Sequence, residues 1–284
     1  MLIANPIYDV VFKRMMENER VAKFFIGTLL EQTIENVEVK PQEFTYTDEL
    51  AGLAVFRLDF IATIKTESGE QKKVLIEIQK ARNQIDLMRF RRYLGEQYKK
   101  EDLLNNKKIV FPITTIYILG FKLPEIETAC IKVERNYKDL VNNKTLITKS
   151  EFVEKLTHDS YIVQVDRITN KYATKLDKLL SIFEQRNFID ENKITKEFKH
   201  ALDMEDIKLT TDILHFAGTN PEERKKIEDE QEAWRTVNAM FEDKEEEFNK
   251  KLEEKDKVID ENKKVIDEKD RLIEALMKKL NEKK

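Results

Sequence analysis

The chain has 284 residues and a hydrophobic content of 40%, enough to bury one sizeable core and to carry an appendage. Charged residues make up 37%, against only 6 glycines and 5 prolines, which excludes collagen-like, mucin-like and glycine-rich linker proteins and favours long helices. The formal net charge of -4 argues against a general nucleic-acid binder, and the single cysteine, Cys130, excludes a disulfide framework and a cysteine-based zinc site.

The first third of the sequence predicts two helices followed by a β-hairpin. Asn5, with a proline after it, has the form of a helix N-cap, and a second helix is predicted from about Glu19. Residues 53–65 alternate between apolar and polar side chains like a strand. Residues 72–80 form the next predicted strand, and the two are joined by a turn at Gly69.

The middle of the chain predicts one long helix and several strands. The helix covers about 83–105, and the β-branched run at 109–119 predicts a buried strand. Further strands are predicted at 130–134 and 161–168, and helices dominate from about residue 170. This order predicts an α/β fold in which a mixed sheet is flanked by helices.

The chain is expected to divide into a core (1–168), a helical part of the same domain (169–222) and a charged tail (223–284). In the last 41 residues, 26 are charged, 13 of each sign, and neither glycine nor proline interrupts them. Apolar residues recur there every seven positions: Leu252, Ile259, Ile266, Ile273 and Leu280. This pattern predicts a C-terminal long helix that forms a coiled coil and makes the protein a homodimer. A lone charged helix stays open, because the positions three residues after the first three of these are polar.

Several classes of site are excluded by their missing motifs. The six glycines are far apart, which excludes the phosphate-cradling loops of P-loop, Rossmann and kinase proteins. The three histidines show no metal-binding spacing. The N-terminus has no signal peptide pattern, and the longest apolar-rich run is too short for a bilayer, so we expect a cytoplasmic protein without membrane contact.

Two acidic residues lie inside the predicted hairpin. Asp59 is in the middle of the first strand and Glu77 is in the middle of the second, and strand alternation allows them to share a face. A charge inside a sheet is costly unless it is paired or binds a metal. Together with the backbone carbonyl of Ile78, the two carboxylates offer the oxygen ligands that Mg²⁺ uses, and Gln79 is on the correct face to orient a water. The alternative is a solvent-facing sheet surface on which both acids pair with neighbouring basic residues.

Basic residues concentrate around the predicted long helix. Between Lys72 and Lys108 there are eleven basic and five acidic residues. One face of the helix carries an apolar stripe: Leu87, Phe90, Leu94 and Tyr98. The residues that point elsewhere and that we assign to DNA phosphates are Arg89, Arg92 and Lys99, with Arg91 and Gln84 flanking the stripe. A solvated helix face is the alternative for this pattern.

Three blocks of the sequence resemble one nuclease family. The blocks, in chain order, are Asp9-Val-Val-Phe12-Lys13, then Asp59 followed by Glu77-Ile78-Gln79, then Arg89 with Tyr93 and Tyr98. The central block resembles the PD-(D/E)XK nuclease superfamily. All three together resemble its family of transposases, also called recombination-promoting nucleases (Rpn). The resemblance covers residues 1–220 and leaves out the charged tail.

The resemblance implies a restriction-endonuclease-like fold and a Mg²⁺-dependent DNA endonuclease, with Mn²⁺ as a substitute. It makes Asp59, Glu77 and the Ile78 carbonyl the metal ligands and adds Asp9 from the first helix. Gln79 takes the place of the usual catalytic lysine, which supplies a positive charge that glutamine lacks. It further implies DNA as partner and a place at the bacterial nucleoid.

Two other functions stay open beside the nuclease. One is a catalytically inactive relative that binds DNA or a protein and acts through its coiled coil. The other is a coiled-coil adaptor whose globular part is a scaffold.

Overall fold

The computed structural model describes residues 1–48, 53–80, 84–104 and 107–281 of the chain. The helices are α1 (Asp9–Met16), α2 (Glu19–Leu30), α3 (Gln84–Lys99), α4 (Glu151–Leu156), α5 (Lys175–Phe183), α6 (Glu205–Thr219) and α7 (Pro221–Asn281). The strands are β1 (Leu2–Ala4), β2 (Ile34–Asp48), β3 (Leu53–Thr66), β4 (Gln71–Gln79), β5 (Asp102–Leu104), β6 (Lys107–Ile109), β7 (Ile113–Leu119), β8 (Cys130–Val133), β9 (Tyr137–Asp139), β10 (Lys144–Leu146), β11 (His158–Gln164) and β12 (Thr195–Glu197).

A mixed six-stranded sheet forms the centre of the fold, in the order β2-β3-β4-β7-β11-β8. The pairs β2–β3, β3–β4 and β11–β8 are antiparallel, and the pairs β4–β7 and β7–β11 are parallel. The predicted α/β class with a mixed sheet and flanking helices is confirmed at this level. The predicted hairpin is confirmed as β3 and β4, and Gly69 of the turn between them has a φ of 83°, which favours glycine.

One face of the sheet packs on the main core. Alternate residues of β3 and β4, such as Phe60 and Ile76, are buried there against α1 and α2. Phe12 of α1 lies at the centre, with its ring edge-on to Phe60 at 5.0 Å and to Phe25 of α2 at 5.4 Å. Such aromatic pairs add to the burial of apolar surface and fix α1 on the sheet.

The other face of the sheet is covered by α3. Tyr93 packs there with Ile61 and Leu75, and the rings of Phe90 and Tyr117 lie 4.5 Å apart. The predicted apolar stripe of this helix was wrong at one end, since Leu87 is 52% exposed. The helix is therefore held on the sheet by its middle and last turns.

The first helix begins later than predicted. Helix α1 starts at Asp9 rather than directly after Asn5. The side chain of Asn5 instead donates hydrogen bonds to Oε1 of Gln185 (2.9 Å) and to the carbonyl of Lys193 (3.0 Å). These contacts bind the N-terminus to a segment 180 residues away, and β1 pairs there with β12.

Other strands and boundaries also differ from the prediction. Strand β2 was not predicted, because charged residues and Pro41 interrupt its pattern; a proline is tolerated there since β2 is an edge strand. Helix α3 ends at Lys99, and Asp102 then forms an ion pair with Lys73 (2.7 Å) that holds the chain on the sheet. The buried strand starts at Ile113, after Pro112, rather than at residue 109.

The chain divides into two compact units, Met1–Glu230 and Gln231–Lys284. The first unit reaches past the predicted boundary at residue 222, because Ile227 is buried in the main core. The second unit is the continuation of α7, in which Leu252, Ile259, Ile266 and Ile273 are about half exposed. Within the described ranges, no helix has both the length and the apolar character needed to cross a membrane.

Candidate functional site

Glu77 is a buried acid in a central strand of the sheet. It lies in β4, which pairs with β7 so that Glu77 is next to Tyr117, and it is only 2% exposed. Burial raises the pKa of the Tyr117 phenol, and the negative charge of Glu77 raises it further, against the effect of a hydrogen bond with Thr115. The charge of the Glu77 carboxylate therefore acts on Tyr117, and both side chains lie on the face of the sheet that α3 covers.

Asp59 lies on the neighbouring strand, directly beyond its last pair with β4. The β3–β4 ladder runs from the pair Lys65–Gln71 to the pair Phe60–Ile76. One further step along both strands leads to Asp59 and to Glu77, while Asp59 itself pairs with Gln42 on the other side of β3. The two predicted ligands thus lie on adjacent strands, each one residue beyond the last pair of this ladder. The side chain of Asp59 lies outside the described residues.

Gln79 and Lys80, which lie at the end of β4, have different surroundings. Gln79 is half-buried, and its carbonyl accepts a hydrogen bond from the Gly120 N–H at 2.8 Å. Lys80 is bound elsewhere: its ammonium lies 4.5 Å from the centre of the Tyr8 ring and forms an ion pair with Glu230 of α7. Lys80 is thereby fixed on the α1 side of the sheet, the side opposite to α3.

A glycine makes this strand end possible. A Cβ at Gly120 would lie 3.1 Å from Cα and 3.0 Å from the carbonyl oxygen of Lys80. Only glycine permits the two backbones to approach so closely without a shift. Ile78, whose carbonyl is a predicted metal ligand, pairs here with Ile118 and buries its side chain in the main core.

Asp9 begins the helix on the opposite side of the sheet from α3. Its backbone N–H donates to Oε1 of Glu230 at 3.0 Å, and the N–H of Val10 donates to Oε2 at 3.0 Å. Glu230 therefore caps the N-terminus of α1 with its negative charge, as the helix dipole favours. The structure places Asp9 next to this cap.

No group of three histidine, cysteine, aspartate or glutamate side chains that could hold a metal is found among the described residues, a set that leaves out the side chain of Asp59. What the described part of the site offers is oxygen: the buried carboxylate of Glu77 and the main-chain carbonyls at the end of β4. Oxygen ligands of this kind suit Mg²⁺ or Mn²⁺ rather than zinc or copper. The donors present thus fit the ion that the sequence predicts.

The basic residues assigned to DNA lie along α3. Arg91 and Arg92 are exposed, and Lys99 is exposed and forms an ion pair with Glu96 at 2.8 Å. The side chains of Arg89 and Gln84 lie outside the described residues. The structure therefore gives α3 one buried face on the sheet and an exposed face with two arginines.

A polar cluster that the sequence did not predict lies at the other end of the same sheet face. The Tyr98 hydroxyl is 2.9 Å from Nδ1 of His158, and burial, followed by the charge of Arg135, lowers the pKa of this histidine. His158 of β11 and Lys73 of β4 both pair with Ile113 of β7, so these two residues lie at the same level of the sheet. Four residues along a strand correspond to about 13 Å, so His158 is too far along the strands to belong to a site at Glu77.

Comparisons with known proteins identify no relative: no family model, no curated protein and no solved structure matches the chain.

Proposed function

We propose that the chain is a metal-dependent DNA endonuclease of the PD-(D/E)XK type that hydrolyses phosphodiester bonds. The observation that carries this proposal is the register of the β3–β4 hairpin. It brings Asp59 to the strand next to Glu77, one step beyond the pair Phe60–Ile76. The sequence alone left open a solvent-facing sheet surface, and the burial of Glu77 argues against that alternative.

A buried carboxylate is the central ligand of the proposed metal site. Moving a charged group out of water costs several kcal/mol unless a counter-charge compensates for it. Glu77 keeps its acid in the centre of a sheet at 2% exposure, next to a tyrosine whose pKa its charge raises. A divalent cation bound by this carboxylate would favour its ionised form, so the burial of an acid at this position is compatible with the proposed metal site.

Each residue of the site has a separate task in this proposal. Asp59, Glu77 and the carbonyl of Ile78 would hold the metal, while Asp9, which begins the helix on the opposite side of the sheet, is left out of the ligand set. A Mg²⁺ or Mn²⁺ ion held by these residues would supply a bound water of lowered pKa and positive charge for the phosphate. Gln79, half-buried at the end of β4, orients that water through its side-chain amide.

Helix α3 supplies the proposed contact with the DNA backbone. Arg91 and Arg92 are exposed on this helix. The other residues that we assign to DNA, Arg89, Lys99 and Gln84, lie on the same helix. Arginines bind phosphate through two parallel hydrogen bonds, so they hold the strand while the acids act. DNA as the substrate places the protein in the cytoplasm, at the nucleoid.

A homodimer fits this activity. The apolar residues that repeat every seven positions in α7 are about half exposed, and a second copy of the helix would cover them as a coiled coil. Two sites in one assembly would allow both strands of a duplex to be cut.

The alternative is a catalytically inactive relative that binds DNA or a protein and acts through its coiled coil. Gln79 favours this alternative because it brings no positive charge to the phosphate. Lys80, the next residue along the chain, does not replace that charge, since its ammonium is fixed by Tyr8 and Glu230.

Supercoiled plasmid separates the two functions. Wild-type protein is incubated with plasmid in Mg²⁺, in Mn²⁺ and in EDTA, beside Glu77→Gln, which keeps the size of the side chain and removes its charge. The nuclease proposal expects nicked or linear DNA only with metal and only from the wild type. Circular dichroism checks that the variant is folded. Cleavage by a folded Glu77→Gln protein, or none by the wild type in either metal, would contradict the proposal.

A further inference from the structure

The segment after β8 carries a concentration of exposed apolar side chains. Between residues 133 and 156, seven large apolar residues are at least about half exposed: Val133, Leu140, Val141, Leu146, Ile147, Phe152 and Leu156. Isolated exposed apolar residues are ordinary, but such a concentration marks a surface that another molecule covers. The two at the turn of the β9–β10 hairpin, Leu140 and Val141, are 84% and 91% exposed, and we call them the tip pair.

The turn holds the tip pair outward. Asp139 ends β9, and its Oδ1 accepts hydrogen bonds from the N–H groups of Val141 (2.8 Å) and Asn142 (3.2 Å). Its Oδ2 accepts a third from the side-chain amide of Asn142 at 2.7 Å. These bonds lower the pKa of Asp139 and occupy both of its oxygens, so the only acid of the turn is directed at the turn itself. Asn143 then takes a left-handed conformation with φ 54°, which closes the hairpin.

The base of the hairpin is fixed to the domain. Arg135 donates through Nε to Asp159 of β11 at 2.8 Å and through its terminal nitrogen to Glu154 of α4 at 2.7 Å. The hydroxyl of Tyr137 donates to the other oxygen of Glu154 at 2.7 Å. The hairpin thus projects from an anchored base, which would present the tip pair in one orientation.

Lysines flank the tip pair on both strands. Lys138 on β9 and Lys144 on β10 are exposed, and neither forms an ion pair with any residue of the described ranges. A second copy of this chain docked tip to tip would bring these lysines against one another. A DNA duplex offers them phosphates, and its minor groove admits apolar side chains that wedge between base pairs.

We propose that the β9–β10 hairpin is a DNA-contacting arm. Leu140 and Val141 insert between two base pairs from the minor groove, and Lys138 and Lys144 bind the phosphates on either side. This inference rests on the proposed function, because both require DNA as the partner, and it adds where the duplex is bent. Flexible pyrimidine–purine steps, which unstack at low cost, are the sites it would select.

The test uses full-length protein in EDTA, so that DNA is bound and not cut. The probe is a duplex with 2-aminopurine beside a central TA step and dyes at both ends. The expected result for the wild type is a rise in 2-aminopurine fluorescence and in energy transfer between the ends. Leu140→Ser combined with Val141→Ser should remove both signals and weaken binding about tenfold. The matched control Ile189→Ser, at a residue 60% exposed and outside this segment, should behave like the wild type.

The lysines give an independent readout. Lys138→Gln combined with Lys144→Gln should reduce the slope of log K against log[salt] by about 2, since each phosphate contact contributes about one unit. An unchanged slope would contradict the phosphate contacts.

The outcomes distinguish this inference from the proposed function. If the tip-pair variant keeps both signals and full affinity while the wild type cuts plasmid in Mg²⁺ or Mn²⁺, the arm is disproved and the nuclease stands. If the wild type binds no DNA, both fail. If the tip-pair variant alters only the mass measured by light scattering, the tip is a contact between protein chains and the inference is overturned.

Discussion

Glu230 of α7 binds Lys80, the residue that follows the end of β4, and at the same time caps the N-terminus of α1 through two backbone N–H groups. The two side chains are 150 residues apart in sequence and are both largely buried. The first turns of α7 therefore hold together the end of the strand that carries Glu77 and the helix that begins at Asp9. This contact makes residues 221–230 a part of the domain rather than of the tail.

Removing the Glu230 carboxylate should be costly. Glu230→Ala leaves Lys80 without its partner and two helix N–H groups without a cap, so we expect the free energy of unfolding to fall by about 2–4 kcal/mol. Urea denaturation measures this change. The matched control is Glu228→Ala, two residues earlier, whose ion pair with Arg224 is exposed and should contribute less than about 0.5 kcal/mol. Equal losses in both variants would show that the Glu230 contacts are not the cause.

Replacement of Gln79 by lysine tests the role given to that side chain. If Gln79 orients the attacking water, Gln79→Lys adds a positive charge at the phosphate and should retain or raise the rate of plasmid cleavage by up to about tenfold. The single-turnover cleavage rate is the measurement, and Gln79→Ala is the control that should lower it. A folded Gln79→Lys protein without any cleavage would assign a structural role to this position.

Lys196 predicts a pH dependence of stability. This residue of β12 is fully buried, and its ammonium donates to the carbonyls of Ser181 and Glu184 at the end of α5. Burial lowers its pKa from 10.5 to about 7, with the charge of Glu184 acting against this shift and that of Arg186 adding to it. Between pH 7 and 10.5 the unfolded chain therefore binds more protons than the folded one, and stability rises with pH in this window.

The variant Lys196→Met isolates that effect. The wild type should gain on the order of a few kcal/mol of unfolding free energy relative to this variant between pH 7 and pH 10. Groups common to both proteins cancel in the difference. Parallel curves in urea denaturation across this range would show that the amine keeps an ordinary pKa.

The repeat in α7 predicts the oligomeric state. Ile259→Ser combined with Ile266→Ser removes two apolar residues from the proposed seam and should turn a dimer into a monomer at micromolar concentration. Lys257→Ser combined with Lys264→Ser introduces two serines at positions outside the proposed seam and should leave the dimer intact. Size-exclusion chromatography with light scattering gives the mass of each. A wild-type monomer, or a dimer in both variants, would contradict pairing through this seam.

Short-range patterns made the hairpin predictable. Alternation along β3 and an apolar run in β4, with Gly69 in the turn between them, predict both strands, and they predicted that Glu77 lies inside a strand of the sheet. The same rules failed for β2, because an edge strand tolerates charges and a proline that a central strand would not.

Contacts between distant parts of the chain could not be predicted in this way. The amide of Asn5 reaches Lys193, the carboxylate of Asp102 reaches Lys73, and Glu230 reaches Lys80, and none of these pairs leaves a local pattern. The Asn5 contact explains why α1 starts at Asp9 rather than directly after Asn5. The Asp102 contact holds the chain on the sheet after α3 ends. Alternation along β4 does put Lys80 on the face opposite to Glu77, but its partners Tyr8 and Glu230 leave no local pattern in the sequence.

Manganese tests the central claim most directly, because it substitutes for magnesium at oxygen sites and is located by its anomalous scattering. Crystals of the full-length protein soaked in Mn²⁺ should show one peak bound by the carboxylates of both Asp59 and Glu77 at about 2.0–2.2 Å, and no peak in Glu77→Gln. Carboxylates that face apart, or a peak that persists in the Glu77→Gln variant, would contradict the account.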